Sequence, residues 1–223
     1  MVFAADDLDR VANFWAGVLR RERDDRDVPE LAAGDDPDFR IRFCPAQEPK
    51  WGPNKIHFDL TSDSLDDQQA IVQRALELGG RHIDVGQRPE EGHVVLADPE
   101  GNELCVIEPG NNFLADTAAI GALSCDGSQA VGYFWAGALD WPLVWDQDEE
   151  TAIQSPAGGS KIAWGGPPLD PKLGANRVWL DLLGDSDDLD HLIGLGAARL
   201  DTDHSPWIVL ADPDGNEFRL STA

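Results

Sequence analysis

Phe14-Trp15-Ala16-Gly17-Val18-Leu19 and Val95-Leu96-Ala97-Asp98-Pro99-Glu100-Gly101-Asn102-Glu103 decide the fold, because each occurs twice. They return in the same order as Phe134-Trp135-Ala136-Gly137-Ala138-Leu139 and Val209-Leu210-Ala211-Asp212-Pro213-Asp214-Gly215-Asn216-Glu217. Between them, Pro49-Lys50-Trp51-Gly52-Pro53-Asn54 returns as Pro171-Lys172-Leu173-Gly174-Ala175-Asn176. Blocks repeated in order mark a tandem duplication, so each half serves as a control for the other. A residue kept in both copies reads as architecture, and one that differs at an inward-facing position is a candidate for function.

Outward from these blocks, Leu8, Val11, Trp15 and Val18 recur at helical spacing behind Asp6 and Asp7, which are good N-cap residues. Arg20, Arg21 and Arg23 fall near the far end of that helix, where positive charge suits the dipole. Residues 39–43 and 55–60 alternate with period two and read as strands. Ser64-Leu65-Asp66-Asp67 opens a second helix with a capping-box pattern, and Gly79-Gly80 closes it. His93–Ala97 and Glu103–Ile107 are strands flanking a hairpin turn, with Gly101 where a positive φ is needed. The scheme is βαβββ twice per half and four times in the chain. The second copy is trimmed and predicts a shorter fourth helix. Two domains follow, residues 1–110 and 118–223, joined by a linker over 111–117.

Composition narrows the partners. The formal net charge of −25 disfavours nucleic acid and anionic membrane surfaces and suits a solvated acidic exterior. Three cysteines with no CxxC spacing fit a reducing cytosol, and no apolar run approaches a membrane span. The expectation is a cytoplasmic protein that is monomeric by internal pseudo-dimerisation or a homodimer, with a small molecule as its partner. P-loop, GxGxxG, HExxH and GxSxG patterns are absent, and the Asp212–Glu217 stretch lacks the spacing of a calcium loop.

The Phe-Trp-Ala-Gly-x-Leu helix paired with Val-Leu-Ala-Asp-Pro-x-Gly-Asn-Glu in both halves resembles the vicinal oxygen chelate superfamily, the group of glyoxalase I, bleomycin-resistance proteins and extradiol dioxygenases. The glyoxalase-like branch is the nearest. The resemblance implies an α+β fold in which four βαβββ units form two half-open cups, with helices outside and ligands within. It also implies a divalent-metal site made by a His on a unit's opening strand, a Glu on its last strand and a matching set from the paired unit. His57 falls on the His position and Cys105 on the Glu position. In the second half these positions hold Trp179 and Arg219. The remaining places are expected in the opening unit of each half, where 39–47 carries no Glu (Asp38 lies just before it) and the region of Ile120 no His. One His of four ligands leaves no cofactor expected, the alternative being a divalent ion at His57.

Within the first cup, alternation should point His57 and Asp59 inward, with Glu103 and Cys105 on the neighbouring strand. These four are the candidate catalytic residues: His57 with Asp59 or Glu103 for acid–base work, or with Cys105 as a nucleophile pair. Asp59 recurs as Asp181 and Glu103 as Glu217, which points to structural work at strand ends. His82, His93, His191 and His204 share no ligand spacing and read as surface or strand-end residues. Tryptophan is unequally divided between the halves. A second-half cavity carrying Trp179, Trp164 and Trp145, with Arg219, Asp181 and Glu217, would take a flat, aromatic or anionic molecule. The opposing reading is that these tryptophans fill and close that cup. The functional expectation is a metal-independent binder of an apolar or aromatic compound. Its alternatives are a superfamily lyase, isomerase or dioxygenase, and a scaffold with filled cups.

Overall fold

The computed structural model describes residues 1–34, 39–88, 90–200 and 207–222; Asp38 and His204 lie outside them. Unit one comprises β1 (Val2–Ala5), α1 (Leu8–Leu19), β2 (Arg23–Asp24), β3 (Glu30–Leu31) and β4 (Ile41–Pro45). Unit two comprises β5 (Ile56–Leu60), α2 (Leu65–Glu77), β6 (Arg81–His82), β7 (Val94–Ala97) and β8 (Glu103–Val106). Unit three comprises β9 (Ile120–Cys125), α3 (Gln129–Leu139), β10 (Leu143–Gln147), β11 (Glu150–Gln154) and β12 (Lys161–Trp164). Unit four has its opening strand split into β13 (Val178–Trp179) and β14 (Asp181–Gly184), then α4 (Ser186–Leu195), β15 (Ala198–Arg199), β16 (Trp207–Ala211) and β17 (Glu217–Thr222). The fourth helix is the shortest, 10 residues against 13 in α2. Among the described residues no helix is long and apolar enough to cross a membrane.

The duplicated blocks do the same work in each half. The side chain of Asp7 caps α1 by accepting the Arg10 N–H, and α1 buries Val11, Phe14, Trp15 and Val18. Trp15 donates its indole N–H to Asp98 in the β7–β8 turn, and Trp135 donates to Asp212 in the β16–β17 turn. Glu100, in the same turn as Asp98, accepts the Asp6 and Asp7 N–H groups, while Asp214 takes Ser128 at the start of α3. Each hairpin is thereby tied to the leading helix of its own half. α1 packs on α2, and α3 on α4.

Two details differ from the expectation. Strand β4 runs over 41–45 instead of 39–43, because its bounds follow the parallel pairing of Val2–Ala5 with Arg42–Pro45. Of the arginines after α1, Arg20 is its left-handed C-cap with its N–H returned to the Ala16 carbonyl, while the side chains of Arg21 and Arg23 are engaged elsewhere: Arg21 donates to the Phe39 carbonyl, and Arg23 reaches back to Asp9 and sideways to Asp25.

The sheets cross the halves. Unit two joins unit three through antiparallel β5–β9, giving one eight-stranded sheet in the order β10-β11-β12-β9-β5-β8-β7-β6. Unit four joins unit one through β13–β1, but its sheet breaks at Leu180 into five- and four-stranded pieces. Each cup therefore takes one unit from each half, so the remaining places of each cup lie in the opening unit of the other half. The hydrophobic reason is visible in period two. Phe58, Leu60, Leu104, Leu123 and Ile162 turn to the helices and are almost wholly buried, leaving the opposite face of the shared sheet to the cup. The 111–117 segment is more than a tether: Leu114 is buried, and Phe113 turns toward the first cup.

Candidate functional site

Register assembles the first cup. His57 and Asp59 lie on the cup face of β5, since Phe58 and Leu60 between and after them are in the core. Parallel β8 sets Cys105 beside Asp59. Antiparallel β9 sets Ser124 opposite His57, and β12 sets Ala163 beside Ser124. His57 Nε2 stands 3.4 Å from one Asp59 oxygen, and the Ser124 hydroxyl donates to the other at 2.5 Å. His57, Asp59 and Cys105 each bring a ligand atom within 4.8 Å of the others. Burial pushes the Cys105 thiol far above its ordinary range, and the Asp59 charge pushes it further. A thiol held protonated in this way is a poor nucleophile, which argues against the Cys105–His57 pair.

Above this floor is a cavity of about 820 Å³, with Val85, Val95, Phe113 and Trp145 among its apolar walls. Its size is that of ordinary ligand sites, roughly 300–1,000 Å³. Trp145 stands at the side of the cavity with 40% of its surface exposed. Trp164 touches the cavity but alternates with Ala163, so its indole belongs to the helix-packed core and is 3% exposed. Glu103 also lines the cavity, yet Lys50 holds one of its oxygens at 2.7 Å and the Asn54 N–H the other at 3.2 Å. Glu217 is held identically by Lys172 at 2.5 Å and Asn176 at 3.3 Å. These two glutamates staple the repeated Pro-Lys-x-Gly-x-Asn loops, the structural duty that their repetition implied.

The second cup is built differently. Trp179 is 6% exposed and packs with Val2, Ala4 and Cys44. The Arg219 guanidinium stacks over its ring at 4.3 Å, and its indole N–H bonds to Asp181 at 2.9 Å. Trp179 pairs with Val2, whereas His57 pairs with Ser124, whose repeat counterpart is Ala4. The second junction is therefore slipped by two residues, an even step that keeps the faces. The six residues expected to line one cavity are consequently divided. Trp145 and Trp164 adjoin the His57 cup, while Trp179, Asp181, Glu217 and Arg219 belong to the other. Sequence reasoning missed this because strands pair across the halves. It also missed Phe113, Ser124 and Ala163; Ser124 and Ala163 become legible once unit three is read as the partner of unit two, whereas nothing in 111–117 marks Phe113.

Paired βαβββ units sharing a sheet, with a ligand-sized cavity on its concave face, define a vicinal oxygen chelate protein. The chain belongs to the glyoxalase-like domain family, whose model matches residues 1–107 and again 121–221. Glyoxalase I from Zea mays superposes with a TM-score of 0.68 at 15% identity, covering 98% of this chain and 89% of that one. A proposed dioxygenase from Bacillus subtilis subsp. subtilis str. 168 gives 0.62 at 16% identity, covering 100% and 83%. At these identities the likeness is one of fold. No curated protein matches the sequence.

The superfamily's divalent-metal centre can be tested against the donors in the open cup. At the four family places His57 supplies imidazole, Cys105 a thiol, Ser124 a hydroxyl already donated to Asp59, and Ala163 no donor, while Asp59 adds a carboxylate within reach of His57 and Cys105. The family places therefore carry one imidazole and no Glu, and the residues that could hold an ion here are His57, Asp59 and Cys105.

Proposed function

We propose that the chain binds an apolar or aromatic small molecule in the cup between units two and three, without a family-type metal centre. One observation carries the reading: a cavity with apolar walls lies over the family's metal position, where only His57 of the four places keeps a metal-ligating side chain of the family type. Affinity comes from burial of apolar surface against Phe113, Val95 and Trp145, with His57 and Asp59 as polar contacts that orient the ligand. Native mass spectrometry on protein purified without chelator or immobilised metal is expected to show substoichiometric metal. A full equivalent of metal bound through His57 would overturn the proposal.

A second reading has its own support. The 3.4 Å approach of His57 to Asp59, itself pinned by Ser124, resembles a base held by a carboxylate, so an enzyme using His57 for proton transfer is the alternative. His57→Ala separates the two. For a binder, affinity for 1-naphthalenemethanol should fall by no more than about tenfold, the worth of one ordinary hydrogen bond. Abolished turnover of any substrate found for the wild type, with affinity kept, would favour the enzyme.

A further inference from the structure

We infer that the open cup selects cations, so that its ligand is an aromatic or aliphatic body carrying an ammonium or amidinium group. The inference deepens the small-molecule reading above and rests on it. Asp84, Glu103, Asp126, Glu150 and Asp170 line the cavity, and no Lys or Arg does so among the described residues. The cations nearby are already engaged. Lys50 is held by Glu103 and the Gly52 carbonyl, Lys55 by Asp126 and the Asp170 carbonyl, and Lys161 by the Phe113 carbonyl. Pairing neutralises Glu103 and Asp126. Asp84, Glu150 and Asp170 have no ion-pair partner among the described residues, so three carboxylates face the cavity uncompensated.

The aromatic walls point the same way. Trp145 offers an indole at the edge of the cavity, on the strand that pairs with Glu150. An indole face beside a carboxylate attracts a cation by its quadrupole as well as by charge. An anionic ligand would meet these three carboxylates, with the Lys161 ammonium over the Phe113 ring as an opposing charge nearby, in a protein whose net charge of −25 already repels it at a distance. The second cup instead sets Arg219 over the Trp179 ring and Arg42 against Glu30 and Asp181. The two cups thus present different side chains on their inward faces.

Calorimetry on the full chain with 1-naphthylmethylamine, 1-naphthalenemethanol and 1-naphthoate compares cation, neutral and anion on one ring system. At low salt the amine should bind about tenfold tighter than the alcohol, and the preference should shrink as salt screens the rim. The carboxylate should bind more weakly than the alcohol. Asp84→Asn, Glu150→Gln and Asp170→Asn combined should erase the amine's advantage over the alcohol. Equal or tighter binding of the alcohol, or a preference that survives in the triple variant, would overturn the cation inference while leaving a small-molecule site standing. If none of the three binds, the underlying reading of the cup fails instead.

Discussion

Asp98→Ala should destabilise the protein by about 4 kcal/mol and lower the unfolding midpoint by roughly 8–16 °C. The Asp98 side chain is fully buried and accepts four hydrogen bonds: from the Trp15 indole, the Asn102 side chain, and the Glu100 and Asn102 backbone N–H groups. Removing it strands several donors in a dry interior, at about 1–3 kcal/mol for each that finds no water. Burial pushes the Asp98 carboxyl above its ordinary pKa, and the four donors pull it partway back. Asp98→Asn should rescue little, because its NH₂ would face donors where an acceptor is needed. Asp212→Ala is the internal comparison and should cost less, since its indole bond is longer, 3.4 Å against 3.2 Å, and Asp212 is slightly more accessible. Thermal unfolding followed by tryptophan fluorescence reads all three variants. A loss of under about 1 kcal/mol for Asp98→Ala would show that the turn relaxes to rehydrate its donors.

Ala163→Trp should weaken ligand binding about 100-fold while leaving the fold intact. Ala163 stands on the cup face between Ser124 and Ala152, with the cavity in front of it, so an indole there enters empty space and not the core. Denying a ligand about 110 Å² of apolar burial at ~25 cal/mol per Å² costs about 2.7 kcal/mol, or about 100-fold in affinity. Titration with 1-naphthalenemethanol tests this directly, and an unchanged unfolding midpoint keeps the result interpretable. Retained affinity with the indole in place would move the binding site out of the first cup.

The architectural half of the molecule was legible in the sequence because local chemistry decides it. Trp15 with Asp98 and Trp135 with Asp212 are kept as pairs since each indole needs an acceptor in the core and each turn needs a donor to its Asp. The repetition of Glu103 as Glu217 favoured structural work over the catalytic and ligand-binding roles also expected of them, and each holds a lysine of the repeated loops. His57 and Asp59 were placed on the cup face by alternation with the buried Phe58 and Leu60.

What the sequence by itself determined is the duplication, the four βαβββ units and which side of each strand is apolar. These follow from the periods of single strands and helices, and a period is a property of neighbouring residues. Only the tertiary structure decided which unit faces which. The choice of β9 rather than β1 as partner of β5 is a matter of edge pairing between segments more than 60 residues apart, and all four opening strands carry similar apolar patterns. That one choice sets Ser124 and Ala163 against His57 and brings Trp145 to the same cavity. It also leaves Trp179 and Arg219 to fill the other cup, so the site emerges from strand pairing that no local pattern encodes.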